Sequence, residues 1–325
     1  MKTGYDATSV VPGLVFLGPA PTRSCPTIRT EDPALVKRFL PDGLSSLAAP
    51  VFVFIWSTGF IGARYGMPYT EPATFLVMRF AGVLLLMVPA VRFLNVPMPP
   101  RRQISHLAVA GLLLQGGYLL GVFEAIRHGM GAGLAALIVG LQPVLTAVFG
   151  AVLGERVTGR QWLGLVLGFG GVALVVAERL SLVGLSALSI LMAVGALLSI
   201  TVGTIYQKRY TPVFDLRAGS VIQFAAALGL VVPVALLTEA RTVEWTVPLV
   251  GAMLWSIFAL SIGATSLLFL LIRRGAATRV ASLMYLTPGV TAVMAWLLFG
   301  EEITVWMLAG ICLTAVGVAT MLRRN

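Results

Sequence analysis

The amino-acid sequence predicts an all-α polytopic membrane protein of ten transmembrane helices, arranged as two inverted repeats of five. Three observations predict this fold class: the composition, the continuous apolar runs and an internal repeat. Of the 325 residues, 58% are hydrophobic and 11% are charged, whereas soluble globular chains are roughly half apolar and about a quarter charged. The apolar runs are continuous, whereas the strands of a β-barrel alternate apolar and polar residues. A helix of about 20 residues crosses a bilayer, so the chain has room for about ten.

Ten apolar segments follow one another, separated by short connections rich in glycine, proline and charge. Their expected bounds are 46–64, 73–94, 104–126, 131–153, 158–177, 183–206, 215–237, 247–272, 277–299 and 304–322. Residues 1–44 carry six prolines and five basic residues and present no long apolar face, so we expect a disordered cytoplasmic leader. An upstream start codon that is not used in the cell is one alternative. A signal peptide is another, but Pro12 interrupts the apolar stretch it would need.

The basic residues indicate the orientation of the chain. With the N-terminus in the cytoplasm, 18 of the 23 Lys and Arg fall on the cytoplasmic side and four on the other. Cytoplasmic connections of membrane proteins carry such an excess. We therefore expect a bacterial-type inner membrane protein with both termini in the cytoplasm. This distribution explains the net charge of +10 without a nucleic-acid partner.

The two halves of the chain repeat each other at a nearly constant offset. Four blocks match in order, at offsets of 144 to 146: 79–81 with 223–225, 126–129 with 272–275, 143–148 with 288–293, and 154–173 with 300–319. Because each half holds five helices, the second half enters the membrane upside down. Inverted repeats with a site near their interface are typical of secondary transporters. We expect the first repeat over 45–179 and the second over 180–325.

The matched motifs resemble those of the drug/metabolite transporter superfamily, EamA type. The likeness covers about residues 45–323 and lies in Trp56-Ser57, Arg79-Phe80, Leu141-Gln142-Pro143, Gly154-Glu155-Arg156, Leu286-Thr287-Pro288 and Gly300-Glu301-Glu302. The resemblance implies a ten-helix permease, usually an exporter of amino acids or other metabolites. Its partners would be a small-molecule substrate and membrane lipid. A coupling proton and the oligomeric state are left open.

Arg79 is the first candidate for a substrate cavity. It is a cation about six positions inside the second span, where charge is costly and usually faces a cavity or a partner. Snorkelling to the outer interface is the alternative. The repeat counterpart, Gln223, is neutral, and we therefore expect Arg79 to recognise an anionic group, such as a carboxylate, near the outer end of the cavity.

Polar and amphipathic side chains within other spans complete the candidate cavity lining. Gln115, Tyr206, Gln223 and Trp255 are possible members, although aromatic residues near span ends more often belong to the interfacial belt. Four of these side chains lie deeper and are preferred as cavity lining: Trp56, Tyr118, Gln142 and Tyr285.

Other conspicuous residues have structural explanations. Gly300 suits a helix C-terminus, Thr304 can cap the next helix, and Glu301 complements its dipole; residues 154–158 repeat this arrangement. Pro143 and its counterpart at 288 should kink their helices, which could turn freed carbonyls toward substrate. Glu124 is expected to pair with Arg127 one turn away, with proton coupling as the alternative.

Nothing in the sequence predicts catalysis, a cofactor or a metal site. His106 and His128 are isolated, Cys25 and Cys312 fit no zinc spacing or disulfide, and no catalytic motif is present. We therefore expect a transporter and not an enzyme. The alternatives are an intramembrane enzyme, or a receptor or assembly subunit that does not transport.

Overall fold

The computed structural model describes residues 9–11, 14–16, 42–152, 159–183, 185–267, 271, 284 and 286–322. Nearly all of these residues are helical, and the predicted fold class of a ten-helix membrane protein in two repeats is confirmed. The helices are α1 (Asp42–Gly66), α2 (Pro72–Phe93), α3 (Arg101–Arg127), α4 (Ala132–Val139), α5 (Gln142–Val152), α6 (Gly159–Val183), α7 (Ala187–Tyr210), α8 (Leu216–Thr238), α9 (Val247–Leu267), α10 (Thr287–Phe299) and α11 (Val305–Leu322).

The apolar runs form helices because a helix satisfies its own backbone hydrogen bonds, which lipid cannot do. Helices α2, α3, α7, α8 and α9 are each long and apolar enough to cross a membrane. The predicted ninth span, 277–299, lies partly outside the described residues, and α10 is its described part.

Within the leader, β1 (Ser9–Val11) pairs antiparallel with β2 (Leu14–Phe16). The rest of residues 1–41 lies outside the described part of the chain. The disordered, cytoplasmic leader therefore stays a prediction.

The predicted fourth span is two helices, and Pro143 explains the break. Helix α4 ends at Val139, a turn follows at Gly140 and Leu141, and α5 begins one residue before Pro143. Proline has no N–H to give to the carbonyl four residues earlier, so the expected interruption is confirmed. A Cβ on Gly140 would lie 3.1 Å from Cγ of Pro288. The proline-bearing segments of the two repeats are therefore in contact.

Glycines bring α6 and α11 into backbone contact and reveal the symmetry of the repeats. A Cβ on Gly310 would lie 2.6 Å from the carbonyl oxygen of Gly171, and one on Gly317 would lie 2.6 Å from that of Gly164. Gly317 is the repeat counterpart of Gly171, and Gly310 is that of Gly164, each at an offset of 146. The two contacts are therefore equivalent. The two helices are therefore related by a two-fold axis, and close packing explains the small residues.

Phe80 and Phe224, which occupy equivalent positions in the two repeats, pack against each other. Their ring centroids are 5.6 Å apart, and both side chains are buried. A residue can touch its own repeat counterpart only near the symmetry axis. The contact between α2 and α8 therefore marks the centre of the molecule.

Five connections meet at one end, which we call the outer end because the basic residues predict that it faces away from the cytoplasm. Here Glu239, after α8, accepts the N–H groups of Ala73 and Thr74 at the start of α2, each at 2.7 Å. The Thr74 hydroxyl donates to the same carboxylate, also at 2.7 Å. Charged acceptors are favourable at a helix N-terminus. The second repeat thus caps a helix of the first.

Glu301 forms a second inter-repeat cap at the outer end. Its carboxylate accepts the N–H of Ala132 at 3.1 Å and lies 3.8 Å from Nε of Arg64. The expectation that Glu301 complements the helix following it is corrected, because it caps α4 of the opposite repeat. Two other predictions are confirmed: Gly300 ends α10 with φ of 66°, and Thr304 accepts the N–H of Met307 at 3.1 Å. Residues 154–158 lie mostly outside the described residues.

The predicted ion pair between Glu124 and Arg127 is wrong. Glu124 lies 3.5 Å from Nδ1 of His128, one residue further on, while Arg127 donates to the carbonyl oxygen of Met67 at 3.4 Å. The connection between α1 and α2 attracts the arginine away from its own helix. Local spacing alone did not predict this competition.

Candidate functional site

A central cavity of about 200 Å³ lies between the two repeats. Residues of α1, α2, α3, α5, α7, α8 and α9 line it. Pockets for drug-sized ligands measure roughly 300–1,000 Å³, so this cavity suits a smaller metabolite. The inter-repeat position is where inverted-repeat transporters hold their substrates.

Arg79 supplies the cavity with a charged group. Its side chain is only 6% exposed, and Nε and Nη2 both donate to Oγ of Ser261, on α9, at 3.2 Å. Tyr118 lines the same cavity, and none of the described carboxylates forms an ion pair with the guanidinium. The guanidinium therefore faces the interior and does not snorkel along the surface.

Two π-helical segments flank the cavity at equivalent positions of the repeats. They are Leu112–Gly117 within α3 and Ser256–Ala264 within α9. In the first, the N–H of Tyr118 reaches the carbonyl of Leu113, five residues earlier. Segments of this kind occur mostly as single turns and often at functional sites. The offset of 146 pairs Gln115 with Ser261, and both line the cavity.

Amide side chains supply further polar groups to the cavity lining. Nε2 of Gln142 donates to Oγ1 of Thr204 at 3.0 Å. Nε2 of Gln223 donates to Oε1 of Gln207 at 2.7 Å. All four residues line the cavity. These bonds orient the amides, leaving each glutamine at least one further donor or acceptor.

Seven aromatic side chains contribute to the apolar lining. They come from α1, α3, α8 and the connection before α8: Phe52, Trp56, Phe60, Tyr118, Phe123, Phe214 and Phe224. Phe52 and Trp56 pack with ring centroids 5.6 Å apart, and Tyr118 is 7% exposed. Such rigid rings suit a ligand with an apolar body.

A smaller cavity of about 60 Å³ shares Trp56, Tyr118 and Gln142 with the central one and extends toward the proline breaks. Thr287 lines it, and the buried Oγ1 of this residue has no hydrogen-bond partner among the described residues. A buried polar atom without a partner is costly. The hydroxyl is therefore placed to meet a ligand that enters this recess.

The structure brings four of the five predicted site residues onto one cavity. Arg79, Trp56, Tyr118 and Gln142 all line it, whereas Tyr285 lies outside the described residues. Their role in binding stays a prediction. The sequence reasoning did not single out Ser261, because one serine in an apolar run gives no distinguishing signal. The sequence did not predict the two π-helical segments either.

The chain is similar to known membrane transporters over most of its length. Residues 44–177 and 187–323 each match the model of the EamA-like transporter family. The chain is 28% identical over 288 residues to the probable amino-acid metabolite efflux pump of Salmonella typhimurium, covering 85% of this chain and 93% of that protein. It is 27% identical over 275 residues to the inner membrane transporter YedA of Escherichia coli K12, covering 82% and 87%.

A crystal structure shares the fold, with a TM-score of 0.61 at 18% identity. The superposition covers 86% of this chain and 96% of the other.

Proposed function

Because this chain belongs to the EamA-like transporter family, we propose that it exports amino acids or related small metabolites by alternating access as a secondary transporter. The observation that carries the proposal is the cavity between the repeats with the buried cation Arg79. A charge at this depth needs a partner. A substrate carboxylate would supply one, and arginine can bind it through two parallel hydrogen bonds.

The arrangement of the two ends supports alternating access. At the outer end, Glu239 and Glu301 hold the repeats together. At the other end, the cavity lining reaches Phe214 and Leu216, beside the connection between α7 and α8 that we expect in the cytoplasm. This arrangement supports the proposal that the site opens toward the cytoplasm when the outer end is closed. A rocking motion of the repeats would open the outer end instead.

The direction and location of transport are part of the proposal. A relative is named as a probable amino-acid metabolite efflux pump and another as an inner membrane transporter. We propose that this chain lies in the inner membrane with both termini in the cytoplasm. Substrate would then enter from the cytoplasmic end and leave at the outer end.

The family names indicate a transporter and not an enzyme. A receptor or assembly subunit would use the same fold without moving its ligand.

Transport in proteoliposomes tests the proposal. Proteoliposomes that contain the purified protein should release preloaded amino acids or related carboxylates faster than protein-free liposomes loaded in the same way. The release rates are measured with and without a pH gradient. Acceleration by the gradient would identify proton coupling. Ligand binding without movement of any member of the panel would favour the receptor alternative.

A further inference from the structure

The charges in the central cavity are unbalanced. Arg79 contributes a cation, but the chain has no Asp or Glu in the middle of any span. From residue 42 onward, each acidic residue that the structure describes lies in a connection or within two turns of a helix end: Asp42, Glu71, Glu124, Glu178, Asp215, Glu239, Glu244, Glu301 and Glu302. Glu155 lies outside the described residues. A free amino acid carries both a carboxylate and an ammonium. The cavity offers a partner for only one of them.

Two acidic residues lie next to lining residues in the sequence but are not part of the described lining. Asp215 stands between two lining residues but is engaged by Arg217, whose Nη2 lies 2.9 Å from Oδ2. Glu124 adjoins Phe123 in sequence, yet its carboxylate lies 3.5 Å from Nδ1 of His128 and is not part of the described lining. Neither carboxylate therefore belongs to the described lining that surrounds Arg79.

We propose that the preferred substrates are carboxylates without a free ammonium, above all amino acids whose amino group is acylated. This inference rests on the proposed transport function and names the substrate class of the same site. An acylated amino group is neutral, so it escapes repulsion by Arg79, which is strong in a partly desolvated cavity. The molecule keeps the carboxylate that Arg79 can bind.

The hydrogen-bonding groups of the cavity fit an amide. Several acceptors are already used: Oε1 of Gln207 accepts from Gln223, Oγ1 of Thr204 accepts from Gln142, and Oγ of Ser261 accepts from Arg79. The carbonyl and one N–H of Gln142 and of Gln223 have no partner among the described residues, and neither have both N–H groups of Gln207. The amide of Gln115, which also lines the cavity, has none either. These groups can pair with the C=O and N–H of an acyl amide. An ammonium would find some acceptors here but no carboxylate in the described lining to offset repulsion by Arg79.

Four ligands that share the phenylalanine side chain but differ in charge distinguish the effect of charge from that of shape. They are N-acetyl-L-phenylalanine (anion), L-phenylalanine (zwitterion), L-phenylalanine amide (cation) and N-acetyl-L-phenylalanine amide (neutral). In counterflow with wild-type proteoliposomes, we expect the anion to be moved at least about tenfold more efficiently than the zwitterion, a difference of about 1.4 kcal/mol. The cation should be moved least.

Two variants and a control test which residues cause the preference for the anionic ligand. Arg79→Gln should remove the advantage of the anion over the neutral amide, whereas Arg92→Gln, the same change at an exposed site on the same helix, should leave it intact. Gln223→Glu adds an anion to the lining and should narrow the gap between anion and zwitterion.

The outcomes distinguish this inference from the proposed function. Equal or better transport of free phenylalanine would overturn the inference and leave a transporter of amino acids in place. Transport of none of the four ligands would also overturn the inference. Only failure of the whole amino-acid and carboxylate panel would overturn the transport function itself.

Discussion

Arg79 and Ser261 join the two repeats inside the cavity, since Nε and Nη2 of the arginine share one acceptor, the serine Oγ, at 3.2 Å. The serine donates its own proton to the carbonyl oxygen of Ser256 at 2.9 Å. The hydroxyl is therefore fixed by the π-helical segment of α9. It holds one edge of the guanidinium and leaves the Nη1 side for a ligand.

Replacement of Arg79 tests whether the guanidinium binds substrate. We expect Arg79→Lys to fold but to lower kcat/KM for a carboxylate substrate about tenfold, because lysine cannot form two parallel hydrogen bonds. Arg79→Gln should lower it further. Transport rates are compared at equal membrane abundance. Wild-type rates in Arg79→Lys would remove Arg79 from the site.

Ser261 should act as a positioning residue for Arg79. Ser261→Ala removes the acceptor of two N–H groups, and hydrogen bonds to charged groups contribute about 1.5–3 kcal/mol. We expect KM for an anionic substrate to rise by about tenfold, with little change in membrane abundance. Ser261→Thr should restore most of the affinity. An unchanged KM in Ser261→Ala would show that the contact does not orient the guanidinium.

Glu239 should hold the outer end closed. Glu239→Gln replaces charged acceptors at the N-terminus of α2 by a neutral one, which costs about 1 kcal/mol and shifts the population toward the outward-open state by about fivefold. Leu119, on α3, lines the central cavity. In a chain with Cys25 and Cys312 replaced by Ser, an impermeant thiol reagent added outside should therefore label Leu119→Cys faster when Glu239 is replaced.

Glu244→Gln is the matched control for this experiment. Glu244 lies on the same connection and is bonded there through its backbone: its N–H donates to the carbonyl oxygen of Tyr69 at 2.9 Å, and its carbonyl oxygen accepts the N–H of Thr246 at 2.7 Å. Equal labelling rates in both variants would mean that general loss of negative charge, and not the cap on α2, opens the outer end.

The orientation in the membrane follows from the basic residues. Reporter fusions should place residues 156–160 and 208–217 in the cytoplasm and 239–244 on the other side, because 18 of the 23 basic residues then lie inside. A C-terminus found outside would contradict both the orientation and the even number of spans.

The leader should be dispensable. A chain that starts near Leu44 should insert and transport normally, because the leader has no long apolar face to bury. Its abundance and transport rate are compared with those of the full chain. Lost insertion on truncation would reveal a structural role for residues 1–44.

The sequence predicted what depends on local composition. Continuous apolar runs predicted the spans, and polar groups deep within them, such as Arg79 and Gln142, predicted residues that line the cavity. Pro143 predicted the break between α4 and α5. Each of these follows from the cost of exposing a charge, an amide or an unpaired carbonyl to lipid.

The features that escaped prediction depend on contacts between distant residues. Glu301 was assigned to its neighbouring helix, but folding brings Ala132 closer. The π-helical segments change the helix by a single residue, which an apolar run such as 256–264 does not reveal by its pattern. Ser261 acquires its importance only because α2 places Arg79 opposite it.

The contact between Phe80 and Phe224 has an evolutionary consequence. Before duplication and fusion, two copies of one five-helix unit would have met there, and every substitution would have appeared on both sides of the axis. A cation beside that phenylalanine would then have come in two copies. Joining the halves in one gene freed each copy to change alone, so arginine could stand at 79 and glutamine at 223. A cavity with one guanidinium in its described lining is a property that two identical copies could not have.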